Sequence, residues 1–232
     1  MSHSLSSPNL TAEFWQGRYQ EGTDRWDLGQ PAPPFVSLLT ADQAPAPGSM
    51  AVLGSGRGHD ALLFAAHGFA VTGFDFAPFA IETATQAAQQ RGLPAQFLCR
   101  DIFTLAEEFS HQFDYVLEHT CFCAILPEQR ADYVQMVHQI LRPGGELIAL
   151  FWAHSRPGGP PFGVSLAEIR QLFEGNEGNE GNEGHEGCEP RQLIAPQIDP
   201  PSRKFAVIAM QVSENSVESR RHEEYLVRLR AV

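Results

Sequence analysis

The sequence has a single lysine, Lys204, in 232 residues. That scarcity excludes the phosphate-binding loop G-x-x-x-x-G-K-[ST] and a Schiff-base lysine inside a strand–helix core. No apolar run approaches the roughly 20 residues that span a bilayer. The first ten residues also lack the charged start and apolar core of a signal peptide. We therefore expect a cytoplasmic protein that does not bind a membrane.

Cysteine is also scarce, with four residues in the chain: Cys99, Cys121, Cys123 and Cys188. Four cysteines in a chain of this length do not indicate a disulfide scaffold. The C-x-C pair at positions 121 and 123 has no partner pair and no histidine cluster at zinc spacing. Free thiols and no metal site are predicted.

Basic charge is the third deficit, because the formal net charge is -12. This balance argues against a nucleic-acid partner bound through its phosphates. Residues 174–190, EGNEGNEGNEGHEGCEP, hold six glutamates and no lysine or arginine. The Gly-, Asn- and Pro-rich stretch 174–204 cannot bury enough apolar surface to form a core, which predicts a flexible acidic insertion. A repeat expanded in a tolerant loop and an interaction tail both explain it.

The rest of the chain alternates short apolar runs of strand type with helical patterns. This alternation predicts an α/β fold, in which a parallel sheet carries helices on both faces. Two later runs, 205–212 and 223–231, are typical of strands joined as a hairpin. The predicted strands are 50–53, 70–74, 96–99, 115–117 and 146–151, and the predicted helices are 58–67, 78–91, 104–109 and 128–141.

We interpret residues 1–232 as one domain with four segments. These are an N-terminal helix and lid (1–45), a ligand-binding core (46–173), the acidic insertion (174–204) and a C-terminal β-hairpin (205–232).

The N-terminal segment is rich in aromatic residues. Residues 11–21 predict a helix that Thr11 caps, with Trp15 and Tyr19 on one face. Trp26 follows in a loop whose glycines and prolines exclude regular structure, beside charged residues. The three rings, which we call the aromatic lid, either cover a ligand or belong to the core.

Ligands of open parallel sheets bind at the carboxyl ends of the strands. A glycine loop (residues 54–58, GSGRG) follows the first predicted strand. Asp75 follows the second, Asp101 and Ile102 follow the third, and Glu118 and His119 follow the fourth. These positions are the candidate site.

The spacing of these residues distinguishes two kinds of nucleotide cofactor. The dinucleotide fingerprint G-x-G-x-x-G needs a glycine at position 59, where this chain has His59. Asp75 suits a ribose diol and Asp101 suits an adenine amino group. The loop, with Gly54 and Gly56, therefore favours S-adenosylmethionine over NAD. Both acids also stand where helix N-caps occur.

Longer segments resemble the thiopurine methyltransferase superfamily, and in particular its thiol/halide methyltransferase branch. The resemblance rests on FWQGRYQEGTDRWDLGQPAPPFVSLL, LGSGRGHDALLFA, FDYVLEHTCFCAILPEQR and GGPPFGVSLAEI. It implies a Rossmann-like class I methyltransferase fold, with a seven-stranded mixed sheet that ends in an antiparallel hairpin. Family cofactor contacts fall on Trp15, Tyr19, Trp26, Gly54, Asp75, Asp101, Ile102 and His119. Tyr19 replaces a common Trp, and His119 replaces a common Tyr or Arg.

The resemblance implies methyl transfer from S-adenosylmethionine to a small thiol, hydrosulfide or halide by in-line displacement. His119 or Glu118 is the candidate general base, although positioning alone can suffice for a soft nucleophile. Trp26, Cys121 and Phe122 are the candidate walls of the acceptor pocket. A monomer is expected. The alternatives are a non-catalytic module that binds the cofactor and acts through partners, an NAD-dependent oxidoreductase, and a purely structural His119.

Overall fold

The computed structural model describes residues 10–175 and 204–232. Most of the predicted acidic insertion lies outside the described residues. The helices are α1 (Ala12–Gln20), α2 (Pro33–Thr40), α3 (His59–Ala66), α4 (Pro78–Arg91), α5 (Leu105–Phe109), α6 (Arg130–Ile140) and α7 (Leu166–Glu174). The strands are β1 (Ser49–Leu53), β2 (Ala70–Asp75), β3 (Gln96–Cys99), β4 (Phe113–His119), β5 (Leu141–Trp152), β6 (Phe205–Val212) and β7 (Glu224–Ala231).

The strands form one seven-stranded sheet in the order β3-β2-β1-β4-β5-β7-β6. Strands β1 to β5 are parallel, and β7 pairs antiparallel with both β5 and β6. The predicted α/β fold and its terminal hairpin are confirmed. This order brings the carboxyl ends of β1, β2 and β4 side by side at the centre of one edge.

Alternate residues of β1 pack on opposite faces of the sheet. Ala51 and Leu53 belong to one apolar cluster, whereas Met50 and Val52 belong to the other. Helices cover both faces, so the side chains of the central strands are removed from water. The sheet is therefore a rigid frame, and its carboxyl edge is where polar side chains emerge.

Local signals explain where several helices begin and end. The Thr11 side chain accepts a hydrogen bond from the Phe14 N–H and caps α1 as predicted. Helix α4 starts with Pro78 in its first turn and stops at Gly92, whose φ of 64° is left-handed. The predicted bounds of this helix are confirmed.

Strand β5 is longer than its apolar run predicts. It starts at Leu141 instead of residue 146, because Phe113 already pairs with Leu141. The next pair is Tyr115 with Glu146, so the four residues 142–145 of β5 lie opposite the single residue Asp114 of β4. This stretch, which contains Pro143, Gly144 and Gly145, is an irregularity within the strand.

Candidate functional site

The glycine loop connects β1 to α3 with a backbone that only glycine adopts easily. Gly54 and Gly58 have φ values of 56° and 83°. A Cβ on Gly54 would lie 2.9 Å from the Cβ of Cys121, and one on Gly58 would lie 2.9 Å from the Cβ of Ala84. The positive φ angles and the lack of room for a Cβ both require glycine at positions 54 and 58. Because these residues have no side chain, the main chain of the loop lines the site.

Asp75 ends β2 and is only 6% exposed. Its Oδ2 accepts from the Gly56 N–H at 3.0 Å and its Oδ1 from the Ala77 N–H at 2.9 Å. Burial raises the pKa of this carboxyl group, although these N–H donors and the Tyr19 hydroxyl oppose the rise. Asp75 is thus a desolvated acceptor joined to the glycine loop.

The aromatic lid covers Asp75. The Tyr19 ring meets Trp26 edge-on at 5.5 Å, and Trp15 meets Trp26 at 5.3 Å. The Tyr19 hydroxyl donates to Asp75 at 3.4 Å. Burial and the nearby Asp75 raise the pKa of Tyr19, so its hydroxyl remains a donor. The structure brings the three predicted lid residues together above Asp75 at the carboxyl edge of the sheet.

Asp101 and Ile102 lie further along the same edge, after β3. The Asp101 carboxylate accepts from the Phe103 N–H at 3.0 Å and caps a short 3₁₀ helix, Ile102–Thr104. Asp101 is exposed and Ile102 is buried. Here the N-cap interpretation holds, and it leaves the carboxylate accessible at the rim of the site.

Glu118 was one candidate base, but the structure places it inside the core. It has no exposed surface. Its Oε1 accepts from the N–H groups of Cys121 and Phe122 at 2.9 and 2.8 Å, and its Oε2 from the Tyr133 hydroxyl at 2.5 Å. Burial raises the pKa of Glu118 despite these donors. The carboxyl group holds the turn after β4 and does not face an acceptor.

His119 lies in a four-residue charge cluster. Its Nδ1 is 2.7 Å from Oδ2 of Asp60, and its Nε2 is 3.2 Å from Nη1 of Arg220 and 3.9 Å from Oε1 of Glu224. Burial opposes a charge on the ring, but the two carboxylates outweigh it and raise the pKa of His119 to about 9. Both ring nitrogens are thus engaged within the cluster, Nδ1 by Asp60 and Nε2 by Arg220, so neither is free to take a proton from an acceptor.

Sequence reasoning missed three members of this cluster. Asp60 precedes His119 by 59 residues, and Arg220 follows it by 101. Arg220 also donates to Glu224 at 3.0 Å, and its guanidinium lies 4.9 Å from the Trp152 ring. The polar connection between β6 and β7 carries many charged residues, and no spacing in it singles out Arg220.

The predicted acceptor walls separate into two groups. Phe122 is 1% exposed and packs on Tyr133 and Phe151 in the core, so it does not line a pocket. Cys121 lies against Gly54 beneath the glycine loop. Burial raises the pKa of Cys121 well above its ordinary value and that of Cys123 to about 12. Both thiols are neutral, so neither acts as a nucleophile.

The residues of this edge fit an adenosyl cofactor. The glycine loop lets a ligand approach the main chain, and Asp75 supplies a buried acceptor for a diol. The buried Ser55 hydroxyl has no hydrogen-bond partner within the described part of the chain. A cavity of about 60 Å³, lined by Tyr19, Trp26, the glycine loop and His119, lies beside these groups and is too small for the whole cofactor in this conformation.

Fold and site together define a class I S-adenosylmethionine-dependent methyltransferase. The sequence profile of the Thiopurine S-methyltransferase family matches residues 10–190. The chain belongs to that family. S-adenosylmethionine is accordingly its cofactor, and the NAD-dependent alternative is set aside.

Two curated relatives and one solved structure illustrate the likeness. "Probable thiol methyltransferase 2" of Arabidopsis thaliana is 34% identical over 173 residues, which are 73% of this chain and 75% of the relative. "Thiocyanate methyltransferase 1" of Brassica oleracea is 31% identical over 68% of this chain and 70% of the relative. The structure of Burkholderia thailandensis 1,6-didemethyltoxoflavin-N1-methyltransferase superposes with a TM-score of 0.70. It is 18% identical, with 100% of this chain and 93% of that chain covered.

Two kinds of feature are absent from residues 10–175 and 204–232. No group of three or more His, Cys, Asp or Glu in these ranges could hold a metal ion. None of their helices is both long and apolar enough to cross a membrane.

Proposed function

We propose that this methyltransferase acts on a small soft nucleophile, namely a thiol, hydrosulfide or a halide, and that it does so without a general base. The proteins named above as thiol and thiocyanate methyltransferases support the acceptor class. The observation that carries the proposal is the state of the groups after β4. Glu118 accepts from three donors, and both ring nitrogens of His119 are engaged by Asp60 and Arg220.

A site without a base selects acceptors that need none. Halide and hydrosulfide are anions, and a thiol is a few per cent thiolate at neutral pH and intrinsically reactive. An alcohol, phenol or ammonium acceptor must lose a proton to react, and neither candidate base after β4 can take it. The occupied hydrogen-bonding groups of Glu118 and His119 therefore support an acceptor that needs no base.

The cofactor-binding residues proposed on this basis are Trp15, Tyr19, Trp26, Gly54, Gly56, Asp75, Asp101, Ile102 and His119. When bound, S-adenosylmethionine supplies a methyl group on a positively charged sulfur, which a nucleophile takes by in-line displacement. The chain's own residues hold and orient the bound S-adenosylmethionine, and they exclude water from the site. Asp75 accepts from hydroxyl groups, and the lid rings favour a desolvated cation by about 2 kcal/mol. Orientation supplies up to roughly 7–11 kcal/mol of the barrier reduction.

Trp26 and Cys121 remain the proposed walls on the acceptor side, and Phe122 is left out because it lies in the core. His119 closes the same side, and Asp60 and Arg220 hold its ring in place. Its role is to shape the pocket. A monomer in the cytoplasm that acts without nucleic acid or membrane remains our expectation.

An acceptor panel tests the proposal. Purified protein is incubated with methyl-labelled S-adenosylmethionine and iodide, sulfide, thiocyanate, an alkyl thiol or an aromatic thiol, with a phenol and a primary amine as matched controls. Methylated product is expected from one or more of the soft acceptors and from neither control. Product from the phenol or amine alone would contradict the proposed acceptor class.

The alternative of a cofactor-binding module without turnover predicts S-adenosylhomocysteine binding with no product from any acceptor. None of the relatives or described site residues favours it. Asp75 joins the glycine loop to the aromatic lid through its hydrogen bonds with the Gly56 N–H and the Tyr19 hydroxyl.

A further inference from the structure

We propose that Arg57 fastens the lid loop (residues 21–32) over the cofactor site by binding Asp24 and Asp27, and that it does not itself bind the cofactor. Arg57 lies in the glycine loop between Gly56 and Gly58. It is thus a positioning residue, which acts on the cofactor through the lid. The inference rests on the cofactor assignment and is independent of the acceptor.

The guanidinium of Arg57 is engaged on both carboxylates. Its Nη2 lies 2.7 Å from Oδ2 of Asp24, and its Nε lies 2.7 Å from Oδ2 of Asp27. Nε also donates to Asp24 at 3.0 Å. Two acidic residues three positions apart in the lid loop therefore converge on one arginine of the glycine loop.

These ion pairs are partly removed from water. The side chains of Asp24, Asp27 and Arg57 are 9%, 15% and 24% exposed. The guanidinium also lies 5.7 Å from the Tyr19 ring centroid and 5.3 Å from that of Phe79. Partial burial and the adjacent rings strengthen such pairs relative to fully exposed ones.

Asp27 is held in place by its own neighbours. Its Oδ1 accepts from the Gly29 N–H at 2.7 Å and lies 3.1 Å from Nε2 of His59. Burial alone would raise the pKa of Asp27, but His59, the Gly29 N–H and Arg57 outweigh it and lower that pKa. The carboxylate stays charged, so Arg57 has a permanent partner.

The far end of the lid loop is tied to the same part of the molecule. The Ala32 N–H donates to Oδ1 of Asp60 at 2.7 Å, near the start of α3. Asp75 lies almost fully buried below Tyr19. A ligand of Asp75 therefore enters and leaves only when the lid moves, and the Arg57 pairs oppose that movement.

The test compares three variants of the full chain: Arg57→Met, the pair Asp24→Asn with Asp27→Asn, and all three changes combined. S-adenosylhomocysteine dissociation is followed after rapid dilution, and amide hydrogen exchange of residues 21–32 is followed in the free protein. Both partial variants are expected to raise the dissociation rate about tenfold and to speed exchange. The combined variant is expected to equal either one, because all three changes remove one interaction.

Arg142→Met is the matched control, because Arg142 pairs with the partly exposed Asp114 at the opposite end of β4. It is expected to release S-adenosylhomocysteine at the wild-type rate. In the wild type, raising NaCl from about 0.05 M to about 0.5 M should also speed release, and Arg57→Met should not respond. This salt series tests the same pairs if a variant does not fold.

Faster release from Arg57→Met with wild-type release from the double Asp variant would overturn the proposal, because Arg57 would then contact the cofactor directly. Additive effects in the combined variant, or no effect in any variant, would overturn it too. A wild-type protein that binds no S-adenosylhomocysteine would instead refute the cofactor assignment. Failure of every acceptor in the panel leaves the lid proposal standing.

Discussion

The two halves of the carboxyl edge are built differently. On the cofactor half, the carboxylates of Asp75 and Asp101 accept mainly from backbone N–H groups. On the acceptor half, side-chain charges from distant segments neutralise one another around His119. The first half depends mainly on main-chain geometry, whereas the second depends on contacts between charged side chains. Substitutions and pH should therefore affect them differently.

The largest expected effect is on the acceptor half, at Glu118. Replacing Glu118 with Ala leaves the N–H groups of Cys121 and Phe122 and the Tyr133 hydroxyl without their acceptor, at about 1–3 kcal/mol each. We expect the free energy of unfolding to fall by about 4 kcal/mol. Urea unfolding followed by circular dichroism measures it. Glu128→Ala, a change at an exposed residue, is the control. If Glu118→Ala lowers the free energy of unfolding by less than about 1 kcal/mol, Glu118 is again a candidate base.

The second effect concerns His119 and pH. Its folded-state pKa of about 9 lies above the ordinary 6.5, so protonation stabilises the fold. That stabilisation is complete below about pH 6.5 and disappears as the pH rises through about 9, which amounts to about 3 kcal/mol. Urea unfolding of wild type and His119→Gln across this range should show the loss in the wild type only. The control is His67→Gln, a change at an exposed residue, in which the unfolding free energy should depend on pH as in the wild type. The same pH dependence in His119→Gln would contradict the distinction between the two halves.

The third effect is on the cofactor half. Asp75→Asn removes the charge and one of the two acceptor oxygens, so the Gly56 or Ala77 N–H loses its acceptor. We expect calorimetry to show about 100-fold weaker S-adenosylhomocysteine binding. Asp132→Asn, a change at an exposed residue, is the control and should bind S-adenosylhomocysteine like the wild type. Wild-type binding by Asp75→Asn would show that the Asp75 carboxylate does not take part in binding.

The same contrast explains what the sequence could predict. Hydrophobic periodicity located β1 to β4 and α4 within a few residues, and the spacing from the glycine loop to Asp75 indicated the edge at which we propose that the cofactor binds. Asp60, Arg220 and Glu224 could not be found in this way, because the sheet order alone brings β7 beside β5 and so places Arg220 near His119. Phe122 could not be assigned to the core before Tyr133 and Phe151 were known to surround it.

The pH dependence of kcat/KM for two thiol acceptors with widely separated pKa values tests most directly whether the acceptor half works without a base. This parameter reports the ionisation of the free enzyme and the free acceptor. If the thiolate forms in solution, the acid limb of the profile moves with the pKa of each thiol, and the iodide profile stays flat over the same range. An acid limb at the same pH for both thiols would instead assign the proton transfer to a group of the protein and contradict the account.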